Sequence, residues 1–328
     1  MKRSSINRLA ALVLITAALA GCGTTPKETQ APDQKASPQT QAPASTQSAP
    51  SSRETVYPIT VKDAAGREIT FDSEPKRIVS MVPGHTELVF ALGKGSSLVG
   101  RSDFCDFPAE AKQIESVGGF FPPNYEKIVA AKPDLILLLG GSEEARTKLE
   151  TEYKLTTLVL DPQNFTQLYE GMKLLGRVLN AQEAAERLIA DMQAATKAVE
   201  EKVAKATTKP VVFYEVWNDP LQTTGPNTFM DDMIRLAGGV NAAANAEPGW
   251  ALFSVEQLVA ANPDLILASS PDAAKAILER KGWESIKAVK TGRVVGAPDQ
   301  NLIVRPGPRL IQGLNWMAEQ IHPELSSK

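Results

Sequence analysis

Few side chains in this 328-residue sequence are suited to covalent or metal chemistry. It has two histidines, His85 and His322, and two cysteines, Cys22 and Cys105, with no CxxC spacing. Neither a His-rich nor a thiolate metal site can be assembled from so small a set, and none is expected. No Ser-His-Asp order, P-loop or Gly-rich dinucleotide fingerprint occurs, and His85 would be the only poised acid or base. The expectation is a protein that is not an enzyme and has no cofactor of its own. What remains is the chemistry of recognition. Five of the nineteen aromatic residues fall between Phe104 and Tyr125, and aromatic faces suit a broad apolar ligand. Glu126 and Glu256 stand at matching places in two near-identical segments, and Arg305 and Arg309 flank a Pro-Gly-Pro turn.

Composition narrows the class further. With 43% hydrophobic and 22% charged residues the chain can bury a core. Its net charge of −3 becomes −6 without Lys2, Arg3 and Arg8, and no Lys/Arg cluster rises above that background, so no nucleic-acid partner is expected. Residues 1–21 place those basic residues before the apolar run Leu9–Ala20, a signal peptide too short for a stable span. Leu19-Ala20-Gly21-Cys22 resembles the lipobox of bacterial lipoproteins, which implies cleavage before Cys22 and acylation of its thiol. The plainer alternative is an ordinary signal with an incidental cysteine. Residues 23–55 contain no Val, Ile, Leu, Met or aromatic residue and five prolines. Residues 22–55 are thus expected to be a lipidated cysteine and a disordered tether, spanning on the order of 30 Å. The predicted location is extracytoplasmic, lipid-anchored to the cell membrane. Cys105 is expected to be a small buried residue.

From residue 56 onward the pattern is α/β. Val56–Phe71 reads as a hairpin around Asp63-Ala64-Ala65-Gly66, and Ile78–Val82 as a buried strand turned by Pro83-Gly84 into a helix over Glu87–Leu92. Short apolar runs recur between helical stretches: Leu98–Gly100, Leu135–Leu139, Leu158–Leu160, Val211–Tyr214, Leu265–Leu267 and Val294-Val295. Such alternation predicts parallel sheets with helical crossovers. Gln182–Ala206 carries apolar residues at helical spacing without Gly or Pro, a strut of about 38 Å.

An internal repeat divides the molecule. Glu126–Leu137 matches Glu256–Leu267 at an offset of 130 residues with nine of twelve positions identical. Each copy reads as a short helix, capped by Asn124 or Ser254, with Val129 or Val259 on its buried face. Pro133 or Pro263 stops it, and Asp-Leu-Ile-Leu opens a buried strand. So long a period signals a duplicated lobe, not a solenoid. The predicted fold is α/β, two doubly wound lobes with mostly parallel sheets joined by one long α-helix. The expected boundaries are 56–162 for the N-terminal lobe, 163–208 for the helical connection and 209–328 for the C-terminal lobe.

The run Arg77–Gly93, the segment Asp103-Phe-Cys-Asp-Phe-Pro108, both Glu…Pro-Asp-Leu-Ile-Leu units and the central helix together resemble the iron/cobalamin class of ABC-importer binding proteins. The resemblance covers roughly residues 56–325, with the binding domain over about 76–328, and the cobalamin-binding members are the most similar. It implies a ligand clamped between two lobes with little closing motion. It matches Phe104, Phe120 and Trp250 to aromatic positions of the cobalamin cleft, and places Arg305 to reach the ligand's amides or carboxylates. Arg309 is assigned to the helix surface. It matches Glu126 and Glu256 to carboxylates that pair with permease arginines; as first-turn residues they would also complement a helix macrodipole with no partner at all. Leu139 and Leu302 stand where relatives carry aromatics. His85 has two readings, a haem-iron ligand or a polar helix-start residue facing solvent, and the second is favoured.

The function these readings imply is capture of cobalamin or a related corrinoid, as transported ligand, for an ABC-importer permease dimer with its ATPase subunits. The alternative is a ferric siderophore or haem on the same frame; a chelatase-like enzyme is remote.

Overall fold

Both Asp-Leu-Ile-Leu repeats become interior strands of four-stranded, all-parallel sheets. The computed structural model describes residues 54–325. The expected signal peptide, Cys22 and almost all of the tether lie outside the described residues. Thr55, assigned to the tether, is already tied down: its N–H donates to Asn180 Oδ1 at 2.8 Å and its hydroxyl to the Arg177 carbonyl at 2.7 Å.

A hairpin comes first, β1 (Ile59–Lys62) against β2 (Glu68–Phe71), with Ile59 opposite Phe71 and Val61 opposite Ile69 as the turn predicts. The first lobe continues with β3 (Ile78–Ser80), α1 (Pro83–Ala91), β4 (Leu98–Arg101), α2 (Tyr125–Ala130), β5 (Leu135–Leu138), α3 (Glu143–Thr151) and β6 (Thr157–Val159). Its parallel strands run in the order β4-β3-β5-β6. Two helices follow, α4 (Phe165–Val178) and α5 (Gln182–Val203). The second lobe contains β7 (Val211–Tyr214), β8 (Trp217–Asn218), β9 (Leu221–Thr224), α6 (Phe229–Leu236), β10 (Val240–Asn241), β11 (Trp250–Leu252), α7 (Val255–Ala261) and β12 (Leu265–Ala268). It ends with α8 (Pro271–Leu278), α9 (Lys287–Lys290), β13 (Val294–Gly296), α10 (Asn301–Val304) and α11 (Leu310–Ile321). Its parallel strands run β10-β7-β12-β13, and β11-β9-β8 form a small antiparallel sheet that periodicity had not suggested.

Side-chain alternation explains why the repeat is continuously apolar. Leu135 and Leu137, like Leu265 and Leu267, face a core shared with Leu175, Met192 and Leu314 of α4, α5 and α11. Ile136 and Leu138 enter a separate outer core, and Ile266 and Ala268 enter another. Strands covered on both faces leave no polar position to fill. The strut has 22 residues, about 33 Å, and buries Ala185, Ile189, Met192, Thr196 and Val199 along one stripe.

The repeat's caps are as expected. Lys127 N–H donates to Asn124 Oδ1 at 3.0 Å, and Gln257 N–H to Ser254 Oγ at 3.1 Å, with Gln257 Oε1 accepting from Ser254 N–H. The buried face is one residue off the expectation. Ile128 and Leu258 are fully buried, while Val129 and Val259 are exposed. These helices have only six and seven residues, too short for the spacing of Val129 to fix the facing side. Cys105 is buried, with its thiol 3.2 Å from Ser102 Oγ, in keeping with a small core residue.

Candidate functional site

The carboxyl ends of the parallel strands meet a cleft between the lobes, the usual place for a ligand in doubly wound sheets. Beyond β3 the chain passes through Met81 and Val82 into α1, whose first residue is Pro83. Val82 at the cap has no side chain to satisfy the helix start, and Pro83 has no N–H to satisfy. This turn, with Phe104, Phe120, Leu139 and Val304, lines a cavity of about 350 Å³. Leu139, Val304 and Pro306 also line a second cavity of about 230 Å³, whose other wall includes Tyr214, Thr224 and Trp250. The two are adjacent, sharing those three residues, and each is lined by residues of both lobes.

The expected aromatics take up different settings. Phe104 is 59% exposed, and Phe120 is half-buried and packs edge-on against Phe121 at 4.3 Å between ring centroids. Trp250 is 69% exposed on β11. Phe120 and Trp250 hold equivalent places in the repeat, yet Phe120 lies in a loop and Trp250 in a strand. Glu126 and Glu256 are exposed on α2 and α7 and line neither cavity. The Glu256 carboxyl is held below the usual range by its own backbone N–H and the Ser254 hydroxyl. Leu139 lines both cavities; Leu302 lines neither, and its neighbour Val304 supplies that wall.

Arg305 lines the first cavity, but its guanidinium is engaged. It donates to Asp106 Oδ1 at 2.6 Å and to the Phe104 carbonyl at 3.2 Å, and lies 3.6 Å from Glu87. Burial pushes the Asp106 carboxyl up, and Arg305 outweighs it, leaving the group below the usual range. Arg309 does more than satisfy a helix surface. It grips Glu87 with two hydrogen bonds, of 2.9 and 2.7 Å, and lies 3.9 Å over the Phe107 ring. Gly84 permits this approach: a Cβ there would sit 2.3 Å from the Pro306 carbonyl oxygen.

His85 overturns the favoured reading. It is 3% exposed, lines the first cavity, and its Nδ1 has no partner. Desolvation pushes its pKa down to about 4, with the Leu160 backbone pulling the other way, so the ring is neutral. Pro83 at the helix start makes His85 the third residue of α1, and that turn points it inward. Burial likewise pushes Tyr214 up to about 12 and raises the Asp161 carboxyl, both in the second cavity.

The small antiparallel sheet brings in residues that sequence reasoning missed. Trp250 pairs with Thr224, Leu252 with Gln222, and Gln222 with Trp217. Directly paired residues share a face, so Trp217 and Leu252, 58% and 68% exposed, extend the Trp250 surface. The turn Asn218-Asp219-Pro220 between apolar flanks was the available signal.

A family model described as periplasmic binding protein matches residues 78–301. The chain is 36% identical to an uncharacterised ABC transporter substrate-binding lipoprotein of Bacillus subtilis, YvrC, over 96% of each chain. It is 30% identical to a cobalamin-binding protein of Halobacterium salinarum, over 96% of this chain and 85% of that one. Among solved structures, a periplasmic haem-binding protein of Pseudomonas aeruginosa superposes with a TM-score of 0.70 at 28% identity, covering 77% of this chain and 94% of that one.

Proposed function

The chain belongs to the periplasmic binding protein family, and on that footing we propose that it captures a corrinoid, cobalamin or a close relative, in the cleft between its lobes. The coarser role is that of an extracytoplasmic substrate-binding protein of an ABC importer, not an enzyme. The permease and its ATPase are its partners. Among the described residues no helix is long and apolar enough to cross a membrane.

One observation supports the corrinoid above the other ligands of such proteins: among the described residues the cleft has mostly apolar walls and no uncommitted cation. Of those residues Arg305 is the only Lys or Arg lining either cavity, and Asp106 and Glu87 hold it. Arg309 behind it is held by Glu87. Haem brings carboxylates that need cations or several donors, and a buried unpaired carboxylate is costly. A corrin ring brings a broad apolar face edged by uncharged carboxamides. Phe104, Phe120 and Trp250 would take the face, with Arg305 closing the edge. A cobalamin-binding relative at 30% identity supports the same reading. Haem or a ferric siderophore is the second reading, favoured by the likeness to a haem-binding structure.

Titration of the purified domain with cyanocobalamin, haemin and ferrioxamine B, followed by ligand absorbance and Trp fluorescence, tests the choice. Saturable binding of cyanocobalamin is expected. Haemin binding with no response to cyanocobalamin overturns it.

Two further roles belong to the same proposal. Glu126 and Glu256, exposed at equivalent points of the two lobes, would dock onto a two-fold permease through charge-assisted pairs. Acylated Cys22 would hold the protein at the membrane, with the lobes 56–162 and 209–328 and the helical connection 163–208 carried on the tether.

A further inference from the structure

An antiparallel sheet laid over a core alternates, apolar inward and polar outward, and the hairpin that opens the fold obeys this. Its outer face carries Thr60, Lys62, Glu68 and Thr70, all exposed, with the two threonine hydroxyls 2.9 Å apart. The small sheet β11-β9-β8 does not obey it. Its inner face is ordinary: Thr223 and Ala251 are buried, and Leu221 and the neighbouring Phe253 enter the outer core of the second lobe. Its outer face carries Trp250, Leu252 and Trp217, 69%, 68% and 58% exposed, around a half-buried Gln222. No charged residue occurs in these three strands. A contiguous exposed apolar patch of that kind marks a contact surface.

The register gives the patch its shape. Trp217, Gln222 and Leu252 stand side by side in one row across the strands, and Trp250 lies two residues along β11 from Leu252. The patch therefore measures about 10 Å across the strands and about 7 Å along them. The Trp217 ring is tied down, because its Nε1–H donates to the Asp219 carbonyl at 2.8 Å in the turn after β8. One end of the patch already belongs to the cleft. Trp250 lines the second cavity, while Trp217 and Leu252 lie outside both. The patch is a shelf that runs out of the cleft.

We infer that this shelf binds the heteroaromatic base at the end of the ligand's tail, stacked on Trp217 and Leu252 while the ring occupies the cleft. The inference rests on the corrinoid reading above and places the part of the ligand which that reading leaves aside: a complete corrinoid bears, on one edge, a tail ending in an aromatic base. A fused bicyclic base matches the size of the shelf, and stacking on an indole face suits any such base. Continuity with Trp250 favours a group of the ligand over the permease as occupant. So does the absence of charge, since the carboxylate that would meet a permease cation, Glu256, stands on α7 and not on this face.

Cyanocobalamin and dicyanocobinamide separate tail from ring, because cobinamide keeps the corrin and lacks the base. The purified wild-type chain should bind cyanocobalamin the more tightly. Trp217→Ala should weaken cyanocobalamin binding roughly three- to ten-fold, and Leu252→Ala somewhat less, with cobinamide affinity held within about two-fold in both. Trp217→Phe should keep most of the wild-type preference. Cobinamide binding by each variant also reports that the cleft is intact. Equal affinity of wild type for the two corrinoids, or an unchanged preference in Trp217→Ala, overturns the shelf alone. In the second case, slower uptake by that variant would assign the face to the permease instead. Binding of haemin or ferrioxamine B with no response to either corrinoid overturns the corrinoid reading, and the shelf with it.

Discussion

Arg309 and Glu87, 222 residues apart, form a bidentate ion pair of 2.9 and 2.7 Å that ties the segment before α11 to α1. The Glu87 side chain is 2% exposed and that of Arg309 13%. Arg305 approaches the same carboxylate, so one buried acid serves two guanidiniums. The pair commits Arg309 behind the cleft, and Asp106 commits Arg305, which lines it.

Glu87→Gln should therefore destabilise the fold. Removing one partner of a buried pair costs about 3–5 kcal/mol, readable as a lower urea midpoint. A stability loss below about 1 kcal/mol would mean that Arg309 re-pairs with Asp299, now 3.5 Å away.

Stability should fall on mild acidification because of His85. Its folded pKa is about 4 against 6.5 for the ordinary side chain. Above 6.5 neither state holds the proton; between 6.5 and 4 only the unfolded chain takes it up, and stability declines by about 3 kcal/mol in all. Urea unfolding of wild type and His85→Leu at several pH values checks this: the variant should lack that part of the decline, and parallel curves would rule it out.

Trp250→Ala should weaken cyanocobalamin binding by about 1–3 kcal/mol, the usual worth of an aromatic anchor. Trp217→Ala should cost less, since Trp217 stands further along the same sheet face. Calorimetric titration separates the two, and an unchanged affinity in Trp250→Ala would remove that wall from the site.

For Glu126→Gln and Glu256→Gln the expected effect lies elsewhere. Both carboxylates are exposed and line neither cavity, so ligand affinity and thermal midpoint should stay close to wild type. Uptake should drop, more in the double variant than in either single one, and wild-type uptake should be salt-sensitive. Uptake at the wild-type rate in the double variant would leave the two residues as helix-start carboxylates only.

Cys22→Ala should release the protein from membranes or leave its signal uncleaved. Fractionation of cells expressing both forms checks this, and equal membrane retention with normal processing would be the contrary result.

The sequence by itself determined what local pattern and duplication can determine. The Glu126–Leu137 and Glu256–Leu267 repeat announced two lobes; Asn124 and Ser254 capped the helices as their residue types require; Asp-Leu-Ile-Leu became the doubly covered strands; and Gln182 began the strut. These features depend on neighbours within a few residues, so their signals are written along the chain. Tertiary structure decided the rest. That Ile128 and not Val129 faces the core depends on how a two-turn helix is laid on the sheet. The burial of His85 depends on segments distant in the chain, among them Val304–Pro306, which line the same cavity. Thr224 gained its place beside Trp250 through a ladder between strands 26 residues apart. The commitment of Arg305 and Arg309 to Glu87 and Asp106 sets the charge of the cleft, and pairing of that kind depends on distances in space that residue type and spacing do not encode.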